Sequence, residues 1–264
     1  MRKAIIVRKA PSNSAKLLAG ALGLARVEPG HPALLRPRKA VINWGCSDLD
    51  GIVGGAGYSL VPVLNHPTNV GLAINKIACS MVLENNSVRT VNFCSGPYSN
   101  ARAKYPDDIL LARYTVTGNS GKGIKILRPG DPAPAQEPLV YSVYTKKTEE
   151  YRVHVAFGKV IHVVEKRKRA DAEPSADEKL VRTLGDTWVF CEENHGCDER
   201  GDRTQLHAAS IAAVNALGLD FGAVDTLYSK AGEYVVCEVN TKPGIGSTST
   251  LEAYVNAFKE KING

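Results

Sequence analysis

Apolar residues recur along the chain in short runs and alternations that predict strands and helices in mixed order. Ala4-Ile-Ile-Val7 and Ala40-Val-Ile-Asn-Trp44 read as buried strands, and Leu17, Leu18, Ala21 and Leu22 fall at helical spacing in a helix over Ser14 to Leu24. A helix over Asn69 to Glu84 gathers Ala73, Ile77, Ala78, Met81 and Val82 on one side. Asp108 to Val116 and Ile124 to Leu127 read as strands flanking a glycine loop, with further strands at Leu139 to Tyr144 and Lys159 to Val164. Glu150 to Val155 alternates strictly: Glu150, Arg152 and His154 share one face, Tyr151, Val153 and Val155 the other. Asp202 caps a helix from Thr204 to Leu217 that stops at Gly218, and Leu251 to Lys261 closes the chain. The pattern defines an α+β chain, with a small N-terminal α/β lobe over 1–70 and two α+β lobes over 71–140 and 141–264.

The connections are read from turn residues. Gly51 to Gly57 offers no G-x-G-x-x-G opening onto a helix and reads as a flexible connection. Gly118 and Gly123 bound a loop followed by more β pattern rather than by a helix, so it is a hairpin tip and not a P-loop. Glycine frees backbone N–H groups to approach an anion, and Ser120 adds a hydroxyl, so Gly118, Ser120, Gly121 and Gly123 are candidate phosphate contacts. Arg128 to Pro138 is proline-rich punctuation, Thr145 to Glu149 a polar bend, and Ala170 to Glu178 a polar, mobile segment.

The stretch from Ala223 to Asn240 carries the chemistry. Ala223 to Tyr228 alternates as a strand, Ser229 to Gly232 turns, and Glu233 to Asn240 returns. A turn closing Tyr228 onto Glu233 sets Asp225 opposite Val236 and one diagonal from Glu238, while Glu238 and Asn240 share a face. Two carboxylates and an amide oxygen suit Mg²⁺, with Mn²⁺ an alternative, because a hard cation takes few protein oxygens and completes its shell with water and phosphates. Asp225, Glu238 and Asn240 are therefore the candidate metal ligands.

Composition narrows the partners. The net charge of +6 and pI near 8.9 favour anionic ligands without singling out nucleic acid. No window approaches the ~20 apolar residues of a membrane span. Six scattered cysteines without a CxxC suggest reduced thiols and a cytoplasmic setting, and Cys191, His195 and Cys197 fit no common zinc spacing. The sequence sets no oligomeric state; a homodimer is compatible with it.

GLDFGAVD followed by CEVNTKPGIGST resembles the C-terminal core of the ATP-grasp superfamily, and Asn43-Trp44-Gly45, Val63-Leu-Asn65 and Asn75-Lys76 resemble ATP-grasp proteins common in bacteriophage genomes. The resemblance implies two lobes that sandwich ATP, and a host cytoplasm if phage-encoded. It implies that Lys76 and Arg113 face the nucleotide, that Val143 and Tyr144 hold adenine through backbone groups, and that Glu150 contacts ribose. It further implies that Arg152 faces the phosphates or an acyl phosphate, that Lys166, with Lys168 as alternative, reaches the γ-phosphate, and that Arg182 holds the transferred phosphoryl group. Lys242 stands where a small residue is more common, which bears on substrate charge.

The activity so implied is ATP-dependent carboxylate–amine ligation through an acyl phosphate, releasing ADP and phosphate, on small-molecule or peptide substrates. The acceptor pocket is expected from the N-terminal lobe and loops around Tyr98 and Cys191 to Arg200. Two other readings stand beside it. One is a nucleotide-binding scaffold without ligation; the other is a nucleic-acid-modifying protein, motivated by the run Lys166 to Arg169.

Overall fold

The computed structural model describes residues 3–9, 11–53, 61–115, 123–192 and 203–263. Three sheets organise the chain. The first is a four-stranded parallel sheet in the order β2-β1-β3-β4, formed by β1 (Ile5–Val7), β2 (Ala25–Val27), β3 (Val41–Asn43) and β4 (Val63–Leu64). Helix α1 (Asn13–Leu22), capped by Ser12, covers one face, and the short α2 (Leu49–Val53) occupies the start of the glycine-rich stretch expected to be a connection. Residues 54–57 of that stretch lie outside the described residues. Strand β2 escaped the sequence reading because Ala25-Arg-Val27 is too short and too exposed to show an apolar pattern.

The region expected to be one helix over Asn69 to Glu84 is two, α3 (Pro67–Ile74) and α4 (Lys76–Asn85). Asn75 breaks them: its side chain accepts the N–H groups of Ile77 and Ala78 at 3.1 and 3.2 Å, and its extended backbone restarts the helix. The apolar pattern runs through the break because both helices pack on the same core.

The second sheet, in the order β5-β8-β6-β7, joins β5 (Phe93–Cys94), β6 (Leu110–Arg113), β7 (Ile124–Leu127) and β8 (Val140–Val143), with α5 (Tyr98–Lys104) beside it. The third is antiparallel, in the order β11-β10-β9-β12-β13: β9 (Lys147–Ala156), β10 (Lys159–Lys168), β11 (Trp188–Cys191), β12 (Phe221–Ser229) and β13 (Tyr234–Asn240). Residues 170–178, expected to be mobile, include α6 (Ala176–Leu180), whose capping box pairs Ser175 with Glu178. Helix α7 (Arg203–Ala216) ends at Gly218, whose φ of +63° suits glycine, and α8 (Thr248–Asn263) closes the chain.

The third sheet separates two environments. Its apolar face, with Tyr151, Val153, Val155, Val224, Val236 and Val239, packs on Val70, Cys79 and Leu83 of α3 and α4 and on Leu206, Ala213 and Val214 of α7. Residues 71–85, counted with the central lobe in the sequence, thus pack here. The opposite face carries Glu150, Arg152 and His154, as the alternation of β9 requires. Beyond it, Phe221, Tyr254 and Phe258 pack with Ile6, Ile42 and Trp44 and join the first sheet to the third.

Asn65, in a left-handed conformation (φ 60°), fastens the same junction. Its amide donates to the Phe221 carbonyl and accepts the N–H groups of Asp220 and Phe221, and Asn43 donates to the Asn65 carbonyl at 2.8 Å. These two asparagines of the resemblance serve the packing of lobes. No described helix is long and apolar enough to cross a membrane.

Candidate functional site

The hairpin of β12 and β13 closes one residue later than its turn residues suggest, and it contains a bulge. Ser229 pairs with Glu233, its N–H bonding the Glu233 carbonyl at 2.8 Å, so Tyr228 faces Tyr234 rather than Glu233. A regular ladder from there would set Asp225 opposite Cys237. Instead the register jumps, with Thr226 opposite Val236 and Asp225 directly opposite Glu238, leaving Cys237 as the extra residue. Val236 and Val239 both face the helical core, which a strand achieves only with such an irregularity. The expected diagonal between Asp225 and Glu238 is therefore corrected to a direct cross-strand pair.

Asn240 completes the group. Its Nδ2 lies 3.3 Å from Asp225 Oδ2 and 3.4 Å from Glu238 Oε1, so all three side chains meet at one point. Among the described residues no group of three His, Cys, Asp or Glu is placed to hold a metal. A cation here rests on two carboxylates, the Asn240 amide turned to present its oxygen, and oxygens of a ligand. That donor set fits a small, hard ion.

Each carboxylate is also tied to a cation. Arg152 grips Asp225 in two bonds, Nε to Oδ1 at 2.6 Å and Nη2 to Oδ2 at 2.7 Å. Burial pushes the Asp225 carboxyl up, but Arg152 outweighs it and holds the group below its ordinary value. Lys76, first residue of α4, pairs with Glu238. The Asn75 cap is what aims it there.

These groups open into a cavity of about 370 Å³ between the second and third sheets. Its lining includes the apolar side chains of Val91, Leu111, Ile124, Val143, Leu184 and Leu227, a surface fit for a flat base. The described lining includes six cations, Arg113, Lys147, Arg152, Lys166, Arg182 and Lys242, against three acids, Glu150, Asp225 and Glu238. That imbalance calls for an anion.

Glu150 organises the cations. Lys147 Nζ is 2.6 Å and Lys166 Nζ 2.8 Å from its two oxygens, and Arg182 Nε lies at 3.8 Å. Burial would raise the Glu150 carboxyl, but Lys147 and Lys166 together hold it below its usual range. Burial lowers Lys147, with Glu150 opposing, because one carboxylate is shared among several positive charges. Aromatic rings of β11 support three of the lining cations: Arg152 lies 4.6 Å and Lys166 5.8 Å from the Phe190 centroid, and Arg182 4.6 Å from that of Trp188.

Lys147, Phe190 and Trp188 were absent from the sequence reading. Lys147 falls in the polar bend, and strict alternation would set it on the Tyr151 face; it reaches Glu150 where the β9–β12 ladder shifts register between Glu149 and Lys147. Nothing in the sequence announces that two rings will sit under guanidinium groups.

The run Lys166 to Arg169, read as either a solvated face or a nucleic-acid patch, continues β10 as a strand. Lys166 enters the cavity, Arg167 pairs with Glu165, Lys168 with Glu173, and Arg169 donates to the Gly185 carbonyl. Of the two γ-phosphate candidates, Lys166 is the one placed in the site.

Val143 and Tyr144 line the cavity, but their N–H groups are committed to the Asn92 and Ile109 carbonyls, both at 2.8 Å. Those two donors are not free to meet a base. Arg113 lines the cavity and donates to Ser142 Oγ at 3.2 Å. Gly123 has φ +72°, while Gly118, Ser120 and Gly121 lie outside the described residues. Tyr98, expected near the acceptor pocket, instead packs in the second sheet's core and donates to the Asp131 carbonyl.

His154 shares the polar face but is a buried sheet residue, its Nδ1 3.0 Å from the Tyr254 hydroxyl. Burial first, then the charges of Arg152 and His162, lower its pKa from 6.5 to about 3. The unfolded chain takes up this proton near pH 6.5 and the folded chain only near 3, so stability falls as pH drops through that window. The loss reaches at most about 1.4 kcal/mol per pH unit. His154→Asn, which preserves a partner for Tyr254, is expected to show a flatter decline in denaturant titrations between pH 6.5 and 4; equal slopes would place the titration elsewhere.

Comparison with solved structures places the architecture. A D-alanine–D-alanine ligase from Bacillus anthracis matches with a TM-score of 0.66 and 14% identity, over 100% of this chain and 99% of that one. The ATP-grasp ligase PsnB, solved with a minimal precursor, matches at 0.70 and 12% over 99% and 100%. A RimK domain ATP-grasp protein from Sphaerobacter thermophilus matches at 0.64 and 16% over 97% and 98%. No family profile and no curated protein matches the sequence. The chain has the ATP-grasp fold, shared along its whole length with ligases.

Proposed function

We propose that the protein is an ATP-dependent ligase that joins a carboxylate to an amine, passing through an acyl phosphate and releasing ADP and phosphate. The observation that carries this reading is one cavity whose lining combines apolar side chains, several cations around Glu150 and the Asp225–Glu238–Asn240 group. A nucleotide needs all three: a dry surface for the base, positive charge for the phosphates, and oxygen ligands for its divalent ion. The ligases of the same fold support it.

In this reading Asp225, Glu238 and Asn240 would hold Mg²⁺, or Mn²⁺, which would supply positive charge to the phosphate oxygens. Lys147, Lys166 and Arg182, held in place by Glu150, bind the triphosphate. Arg113 and Lys76 flank it. Arg152, fixed by Asp225 and Phe190, stabilises charge where the substrate carboxylate attacks. Phosphoryl transfer asks mainly for such positioning and charge, and no side-chain nucleophile is required.

The test is phosphate release by the purified protein with magnesium and ATP against pooled carboxylates and amines. Release is expected only when both partners are present, and Lys166→Met is expected to lower it by at least about 100-fold. Release in no pool, or release indifferent to Lys166, would refute the ligase reading.

A further inference from the structure

Two cations stand apart from those assigned to the nucleotide. Arg8 follows β1 at the C-terminal edge of the parallel sheet, the edge where open α/β sheets receive ligands. Its Nε and Nη1 are buried and have no hydrogen-bond partner. Lys242, exposed at the rim of the cavity, makes no ion pair among the described residues.

The fold brings the two together. Trp44 N–H donates to the Val7 carbonyl at 2.9 Å, so the chain after β3 runs beside Arg8. The next residue, Gly45, has φ +77°, and a Cβ on it would fall 2.7 Å from Lys242 Cβ. Glycine at this point is what allows the Lys242 stem to lie across the end of β3. Alternation puts Arg8 on the face of Ile6, whose cluster includes Ile245 from the same turn as Lys242. The neighbouring acid, Asp48, accepts the Gly51 N–H at 2.9 Å.

Position separates this pair from the phosphates. Along β12, Leu227 is level with Glu150, Asp225 with Arg152, and Ala223 with both His154 and Asn240. Asn240 is thus four residues, about 13 Å at 3.3 Å per residue, from the Glu150 cluster, and Lys242 lies farther still. A guanidinium with two buried, unpaired nitrogens is costly, so one kept at the end of the first sheet, apart from the phosphate cations, points to a ligand with its own permanent charge.

Resting on the ligase reading, we propose that Arg8 and Lys242 bind a carboxylate of the substrate other than the one that reacts, so that the substrate is an acidic amino acid or a peptide ending in one. The acidic group makes the ion pair that Arg8 lacks, while Lys242 closes the rim over it.

The test compares ADP formation with matched substrates: glutamate against glutamine, aspartate against asparagine, and dipeptides ending in each. The acidic member is expected to have a kcat/KM at least tenfold higher. Arg8→Met and Lys242→Met are expected to raise KM for the acidic member alone, and Arg8→Met to raise the melting midpoint, since an unpaired buried charge is removed. Equal use of the neutral member, or variants without effect on KM, would overturn the inference and leave the ligase reading intact. Should no pair yield ADP, the pooled screen decides the ligase reading, and calorimetry of the ADP-saturated protein with glutarate and glutaramide decides the inference by itself. Glutarate binding that is weakened tenfold in the double variant supports it, and equal binding of the two compounds refutes it.

Discussion

Glu238→Ala is expected to lower magnesium-dependent ADP formation by at least about 100-fold while leaving the fold nearly as stable as before. The two halves of this expectation have separate causes. Glu238 is 27% exposed and its partner Lys76 21% exposed, so their ion pair is partly solvated and its loss costs about 1 kcal/mol or less. As a ligand, however, Glu238 is one of only two carboxylates in the group, and without it a cation keeps Asp225 and an amide. The measurement is ADP formation over a magnesium titration, with a thermal melt on the same sample. A variant that melts like the parent and turns over like it would remove the metal assignment, and with it the reading of the hairpin as the catalytic centre.

The same residue shows how far the sequence could be read. That Asp225, Glu238 and Asn240 share a face was visible in the period of two within each strand. Their opposition was not, because it depends on a bulge at Cys237, and a bulge arises when two core positions, Val236 and Val239, cannot both be buried by a regular ladder. The face of β9 that shows Glu150 and Arg152 was equally legible, since charge interrupts apolar alternation. Which charges neutralise one another was not, since it needs Lys147 and Lys166 to approach one carboxylate from neighbouring places in the fold.

Helix boundaries follow the same division. Asn75 carries a recognisable cap, yet the apolar stripe on either side reads as one helix because α3 and α4 pack on a common core. Short strands such as β2 and β5 carry too few residues for any period to show. The basic run after Val164 looked like a surface feature only because charge counts ignore alternation; as strand β10 it sends Lys166 into the site and its neighbours to partners elsewhere.

Asp225→Ala is expected to be the most destabilising change in the site. It leaves the Arg152 guanidinium buried and without its two bonds to Asp225, of 2.6 and 2.7 Å, and breaking one side of such a pair costs about 3–5 kcal/mol. For a chain of this size that corresponds to a fall of roughly 6–20 °C in Tm. Because the folded carboxyl lies below its ordinary value, the stabilisation is present above the unfolded pKa near 3.8 and is lost as pH falls below it. Arg152→Met in the Asp225→Ala background is expected to restore much of the loss, as no charge is then stranded beside Phe190 and the apolar stem is kept. Chemical denaturation of the parent, the two single variants and the double variant measures the coupling. Additive losses would mean that Arg152 is held by Phe190 and its other neighbours, and that Asp225 is free to serve the cation alone.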